Sequence, residues 1–164
     1  LFRSGVAEAH AEERVTLYTG NDDHILLDLL TPYRIRRGND EVTVRIRGGL
    51  LGQWSVWTSK AVEMIARAHA AAEAGAGPLD LLTLAAELTA ENGALFDVAN
   101  DFHGCIAGCH EVLRRQGLLE NLVLLDPAEG LGPGQGAEID RVSAAYPHLA
   151  DDAFVAAGRE RWLS

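Results

Sequence analysis

The chain holds 164 residues, 48% of them hydrophobic, enough for a sizeable core in one ordinary globular domain. Its 24 acids against 14 bases give a formal charge of −10, which excludes broad binding to nucleic acid or to an anionic membrane, since both would repel it. No apolar run approaches the length of a membrane span, and the only two cysteines, Cys105 and Cys109, lie four apart in a helical stretch and staple nothing, so the expected setting is a reducing cytoplasm and the expected partners are small molecules and proteins.

In chain order, the end of a helix through Arg14 leads to a strand, Val15-Thr16-Leu17-Tyr18, and then to a helix over 23–30 closed by Pro32. Val42, Val44 and Ile46 alternate with polar residues beyond the turn-forming Arg36-Arg37-Gly38-Asn39-Asp40, which predicts a hairpin over 33–47 with an arginine-rich outer face. The apolar stretch 50–57 reads as the next strand. Thr58 or Ser59 then caps a helix to about Glu73, with Ala61, Ile65, Ala68 and Ala72 along one face. Beyond the break at Gly75-Ala76-Gly77-Pro78 the pattern is helical: 78–91, a turn at Asn92-Gly93, and a longer region ending at Gly117. A short extended piece at 122–125, a Pro/Gly loop over 126–136 and helices near 137–145 and 151–163 complete it. The expected organisation is an α/β part, 1–74, carrying two βα units, and a helical part, 75–164.

The most informative run is Leu17-Tyr18-Thr19-Gly20-Asn21-Asp22-Asp23. A strand that ends in Gly-x-Asp-Asp and opens straight into a helix puts two carboxylates on a βα loop, where parallel α/β proteins keep their chemistry. Gly20 permits close approach or a positive φ, and the carboxylates of Asp22 and Asp23 can accept from hydroxyls; Ser55, further on, can donate as well as accept. The bland roles are equally concrete: either aspartate can cap its helix, and Ser55 can bond to backbone.

This order of landmarks, with Gly52-Gln53-Trp54-Ser55-Val56 and a trailing helical cluster, resembles the C-terminal part of the dihydrodipicolinate synthase and N-acetylneuraminate lyase family. Cys109-His110-Glu111-Val112-Leu113-Arg114-Arg115-Gln116-Gly117-Leu118 and Leu125-Asp126-Pro127 also look like the family's late helix and proline-containing loop. The resemblance implies a (β/α)8 TIM barrel of which this chain supplies the last two βα units, strands seven and eight, and the C-terminal helices. It implies a class I aldolase-type lyase that makes or breaks a carbon–carbon bond of a 2-oxo acid through a lysine Schiff base, needing no cofactor and no metal. That lysine, on strand six, is expected upstream of Leu1. Lys60, the chain's one lysine, falls a βα unit too late and reads as a solvated helix-start charge. On the substrate side, Gly20, Asp22, Asp23 and Ser55 occupy the places that bind hydroxyls of an aldehyde or hydroxylated partner in the sugar-acid lyases. A homo-oligomer is implied as well. In a barrel the hairpin faces away from the active site, where Arg34, Arg36, Arg45 and Arg47 suit a contact with an acidic subunit or simply keep an edge ribbon solvated.

Other constellations are weaker. Cys105-Ile106-Ala107-Gly108-Cys109-His110 is one residue longer than the haem-attachment spacing, and His103 points away from the helix face that Cys105 and Cys109 share, which leaves zinc only about three ligands where a closed site has four. Asp22-Asp23-His24 could serve a metal-dependent hydrolase only with further oxygen ligands. Gly130-Leu131-Gly132-Pro133-Gly134-Gln135-Gly136 mimics a phosphate loop, but Pro133 removes a donor and no βαβ unit surrounds it. The alternative to a lyase is a non-catalytic barrel remnant that associates through its strand edges and arginine-rich hairpin.

Overall fold

The computed structural model describes residues 2–164, a helix-rich mixed α/β chain: α1 (Phe2–Glu8), β1 (Leu17–Thr19), α2 (Ile25–Leu30), β2 (Tyr33–Arg37), β3 (Asp40–Val44), β4 (Ile46–Gly49), α3 (Thr58–Ala74), α4 (Leu79–Leu95), α5 (Cys105–Arg115), α6 (Gln135–Ala145) and α7 (Asp152–Leu163). None of the described helices is long and apolar enough to cross a membrane. Two compact units emerge, one of residues up to Leu51 with Glu63–Ala85, the other of Gly52–Val62 with Ala86–Ser164.

In the first unit β1 and β4 run parallel, with Leu17 opposite Ile46, Tyr18 opposite Gly48 and Thr19 opposite Gly49, and Leu50 N donates to Thr19 O at 2.9 Å. Gly48 leaves room for the Tyr18 ring, which a Cβ there would meet at 2.5 Å, so that the exposed ring would have to move aside. Between the two strands come α2 and the hairpin. Helix α2 buries Ile25, Leu26 and Leu29 and stops at Thr31, whose extended backbone (ψ 119°) is what the residue before Pro32 prefers. In the hairpin, β2 and β3 pair antiparallel from Tyr33↔Val44 to Arg37↔Asp40, and Gly38, at φ 61°, supplies the left-handed residue of its turn.

Arg45, between β3 and β4, turns inward. Its Nη1 donates to Ala72 O at 2.7 Å and its Nη2 to Leu29 O and Leu30 O at 3.3 and 3.2 Å. One guanidinium thus satisfies the orphan Leu29 and Leu30 carbonyls at the end of α2 and shares Ala72 O, in the last turn of α3, with Gly75 N, at two helix ends where the dipoles favour a cation. This corrects its expected place on the solvated arginine face; Arg34 and Arg36 do stand exposed there.

The second unit centres on Val56, Trp57, Leu95, Phe96, Val112, Ile139 and Val142. Its loops are tied by two buried polar side chains. Gln135 donates from Nε2 to Leu95 O and Gly104 O, each at 3.0 Å, and accepts from Gly132 N at 2.9 Å; Asp97, itself at φ 56°, accepts from Gly104 N at 3.0 Å. The Gly-rich run before α6 is therefore an anchored turn, and a Cβ on Gly132 would collide with the Asp97 carboxylate.

Several expected elements shift. The helix before β1 ends at Glu8, not Arg14. The strand expected over 50–57 is β4, at Ile46–Gly49; Gly52–Ser55 winds into a 3-10 turn and Trp57 adopts a left-handed φ of 50°. The apolar run is buried at Leu51, Val56 and Trp57, as a core strand would be, and burial alone does not separate a strand from a tight turn. No turn interrupts α4 at Asn92-Gly93, because Asn92 is itself buried and Ala94 and Leu95 carry the helix into the core. The piece at 122–125 forms no strand.

Candidate functional site

The loop at the carboxyl end of β1 carries Gly20, Asn21, Asp22 and Asp23, with α2 beginning just beyond. Asp28, one turn into α2, organises it. Its Oδ2 accepts from the Thr19 hydroxyl at 2.8 Å and from Asn21 Nδ2 at 3.4 Å, its Oδ1 accepts from the Tyr33 phenol at 2.7 Å, and Thr19 Oγ1 in turn accepts from Asn21 N at 3.1 Å. Strand end, loop and hairpin start are thereby fastened to one carboxylate. Burial, then the bond to Asp28, raise the Tyr33 phenol above its usual range, and the Arg3 guanidinium lies over the ring at 3.8 Å from its centre.

Asp22 is different. It is half-buried, and its Oδ1 is shut off from solvent with no hydrogen-bond partner among the described residues. Burial, and after it the neighbouring Asp23, hold its carboxyl above the ordinary range. An orphaned acceptor of this kind costs free energy unless something donates to it. Neither aspartate is the helix cap: His24 occupies that position and makes no side-chain capping bond. Asp23 stands exposed beside it and has a partner of its own.

Gly20 does not use a left-handed backbone, contrary to one of its two expected roles, and a Cβ there would meet only Leu50 O, at 4.0 Å. Its remaining use is the room it leaves at the strand end. Ser55 lies in the second unit, exposed on the 3-10 turn Gly52–Ser55 rather than on a strand. Lys60, half-buried in the first turn of α3, is not free of partners. Cys105 and Cys109 are reduced and half-buried on α5, and among the described residues no three His, Cys, Asp or Glu side chains gather as a metal ion would require.

Sequence patterns missed Asp28 and Tyr33. The available signal was a single acid inside Ile25-Leu26-Leu27-Asp28-Leu29-Leu30, since a charge placed among buried leucines needs a nearby donor. Comparison of the chain with protein-family models, with curated proteins and with solved structures finds no match.

Proposed function

We propose that this chain is the C-terminal part of a dihydrodipicolinate synthase-like lyase or aldolase, acting on a 2-oxo acid and an aldehyde or hydroxylated partner. The supporting observation is the βαβ arrangement: β1 and β4 lie parallel with α2 between them, and the half-buried, unpartnered Asp22 sits on the loop at β1's carboxyl end, the end at which parallel barrels do their chemistry. In this proposal β1 and β4 are the barrel's last two strands. Their outer edges, which have no strand neighbour among the described residues, are completed by the rest of the barrel.

The chemistry follows from the 2-oxo acid. An upstream lysine amine attacks its carbonyl and water leaves; the resulting iminium accepts the electron pair of the carbon–carbon bond that breaks, or supplies the enamine that forms one. The residues of this chain act on the partner's hydroxyls. Asp22 Oδ1 takes the hydrogen bond that no described residue supplies, Asp23 offers a second carboxylate, and Gly20 keeps the approach open.

Two measurements on the source gene and its whole product test this. The coding DNA upstream of Leu1 is expected to continue in frame through further βα units with a lysine at a strand end, and pyruvate with cyanoborohydride is expected to leave a reduced adduct on the whole protein but not on residues 1–164 alone. A start codon near Leu1, or a whole protein that stays unmodified, overturns the proposal.

The same open strand edges support a second reading, a non-catalytic module that pairs through them, which a genuine start near Leu1 together with obligate dimerisation in sedimentation would favour.

A further inference from the structure

At the amino end of β1, opposite the aspartate loop, lies a cavity of about 320 Å³ whose lining includes Arg14, Arg45 and Arg47 together with Glu12, Glu13 and Thr43. Because β1 and β4 are parallel, Arg14 before one strand and Arg45 and Arg47 at the start of the other meet at a single end of the pair. The charges do not cancel. Glu12 is already committed to Arg37, at 2.9 Å. Arg45 is held by helix carbonyls; burial and then the field of Arg47 disfavour its charge, and Glu73 partly offsets them. Arg14 and Arg47 make no ion pair and no side-chain hydrogen bond among the described residues, which leaves Glu13 as the one uncommitted acid on the wall. In a chain with ten more acids than bases, the gathering of Arg14, Arg45 and Arg47 at one concavity is a local excess of positive charge that a small anion can meet.

We propose that this cavity is an anion site that takes a small multivalent oxyanion, a phosphate or a polycarboxylate. Arg14 and Arg47 supply planar forks that match two oxygens each, and Thr43 stands on the wall with a hydroxyl donor. The concave shape favours a small ion over an extended acidic peptide or a nucleic acid, which the overall charge would also repel. Lying at the end of the strands away from Asp22, the site leaves the proposed substrate loop free, and it stands or falls independently of the lyase reading.

Titration of the unmodified chain by calorimetry, with inorganic phosphate and separately with citrate, each at ionic strength matched by sodium chloride, tests it directly. Saturable binding is expected for at least one of them, weakened about tenfold in Arg14→Gln and again in Arg47→Gln, the loss that follows from removing a charge-assisted hydrogen bond. Both side chains are exposed, so the variants are expected to fold, and Arg36→Gln on the hairpin's outer face is expected to bind as the unmodified chain does. Phosphate binding with citrate excluded identifies the phosphate group as the ligand chemistry, and the reverse identifies a polycarboxylate. No saturable heat with either ion, or binding that Arg14→Gln and Arg47→Gln leave intact, overturns the proposal.

Discussion

The phenol of Tyr33, first residue of the hairpin, donates at 2.7 Å to the Asp28 carboxylate, whose other oxygen takes the Thr19 hydroxyl from the end of β1. Three elements consecutive in the chain converge on one side chain. Tyr33→Phe removes a single donor and is expected to cost about 1 kcal/mol, whereas Asp28→Ala strands both hydroxyls and is expected to cost about 2–3 kcal/mol. Urea denaturation measures both. Hydrogen exchange at Asn21 N, which donates to Thr19 Oγ1, is expected to speed up in Asp28→Ala; unchanged exchange would mean that the network does not position the loop.

Arg45 makes a sharper prediction. Arg45→Met keeps most of the stem's packing but leaves Leu29 O and Leu30 O without their donor and Ala72 O with only the 3.4 Å bond from Gly75 N, at an expected cost of about 2 kcal/mol. Arg45→Lys is expected to recover only part of this, since a compact ammonium does not span two helix ends as a planar guanidinium does. Equal denaturation midpoints for Arg45→Lys and the unmodified chain would sink the assignment.

Glu91, buried on α4, has an Oε1 with no partner among the described residues, and burial pushes its carboxyl up to about 8. The folded state therefore holds a proton that the unfolded chain releases near its ordinary value of 4.5. Its contribution to stability is fully present below that value and is lost as the pH rises through about 8. Glu91→Gln, neutral at every pH, is expected to flatten this dependence and to be the more stable form at alkaline pH by on the order of 3 kcal/mol. Denaturation midpoints between acid and alkaline pH decide it: parallel curves for the two proteins would show that Glu91 does not titrate in this range.

Much of the scaffold was legible because local signals agreed with packing. Alternation at Val42 and Val44 marks the hairpin, and helical spacing marks α3, although its buried positions are Ala61, Met64, Ala68 and Ala71, with Ile65 and Ala72 of the expected face only half-buried. The strand expected over 50–57 was not legible, because Leu51, Val56 and Trp57 are buried just as a strand would bury them while the backbone at Trp57 is left-handed. The candidate site divides in the same way. Gly-x-Asp-Asp after a strand marks Asp22 and Asp23 by local spacing alone, but the bonds from Tyr33 and Thr19 to Asp28, and those from Arg45 to two helix ends, join residues 5 to 27 positions apart whose meeting depends on tertiary structure. The Asp97 and Gln135 tie was hidden for the same reason, since nothing near Gln135 in sequence announces Leu95 or Gly104 as its acceptors.

Glu111 is the acid counterpart of Glu91. Almost wholly buried on α5, it accepts from Arg114 Nε at 2.7 Å and from Arg115 Nε at 2.8 Å, one helical turn along the same face. The hydrogen bond from Arg114 comes first, and together with that from Arg115 it outweighs the cost of burial and brings the carboxyl down to about 2. A carboxyl lowered on folding contributes stability that is present above its ordinary value of 4.5 and disappears as the pH falls toward about 2. Glu111→Gln is therefore expected to be less stable at neutral pH by about 2 kcal/mol, with the difference closing in acid as the unmodified side chain takes up its proton. Arginine forks left without their carboxylate still reach water, because both guanidinium groups are partly exposed, so the loss stays below that of breaking a fully buried ion pair. A difference between Glu111→Gln and the unmodified chain that stays constant from neutral pH to acid would place the energy in packing rather than in charge.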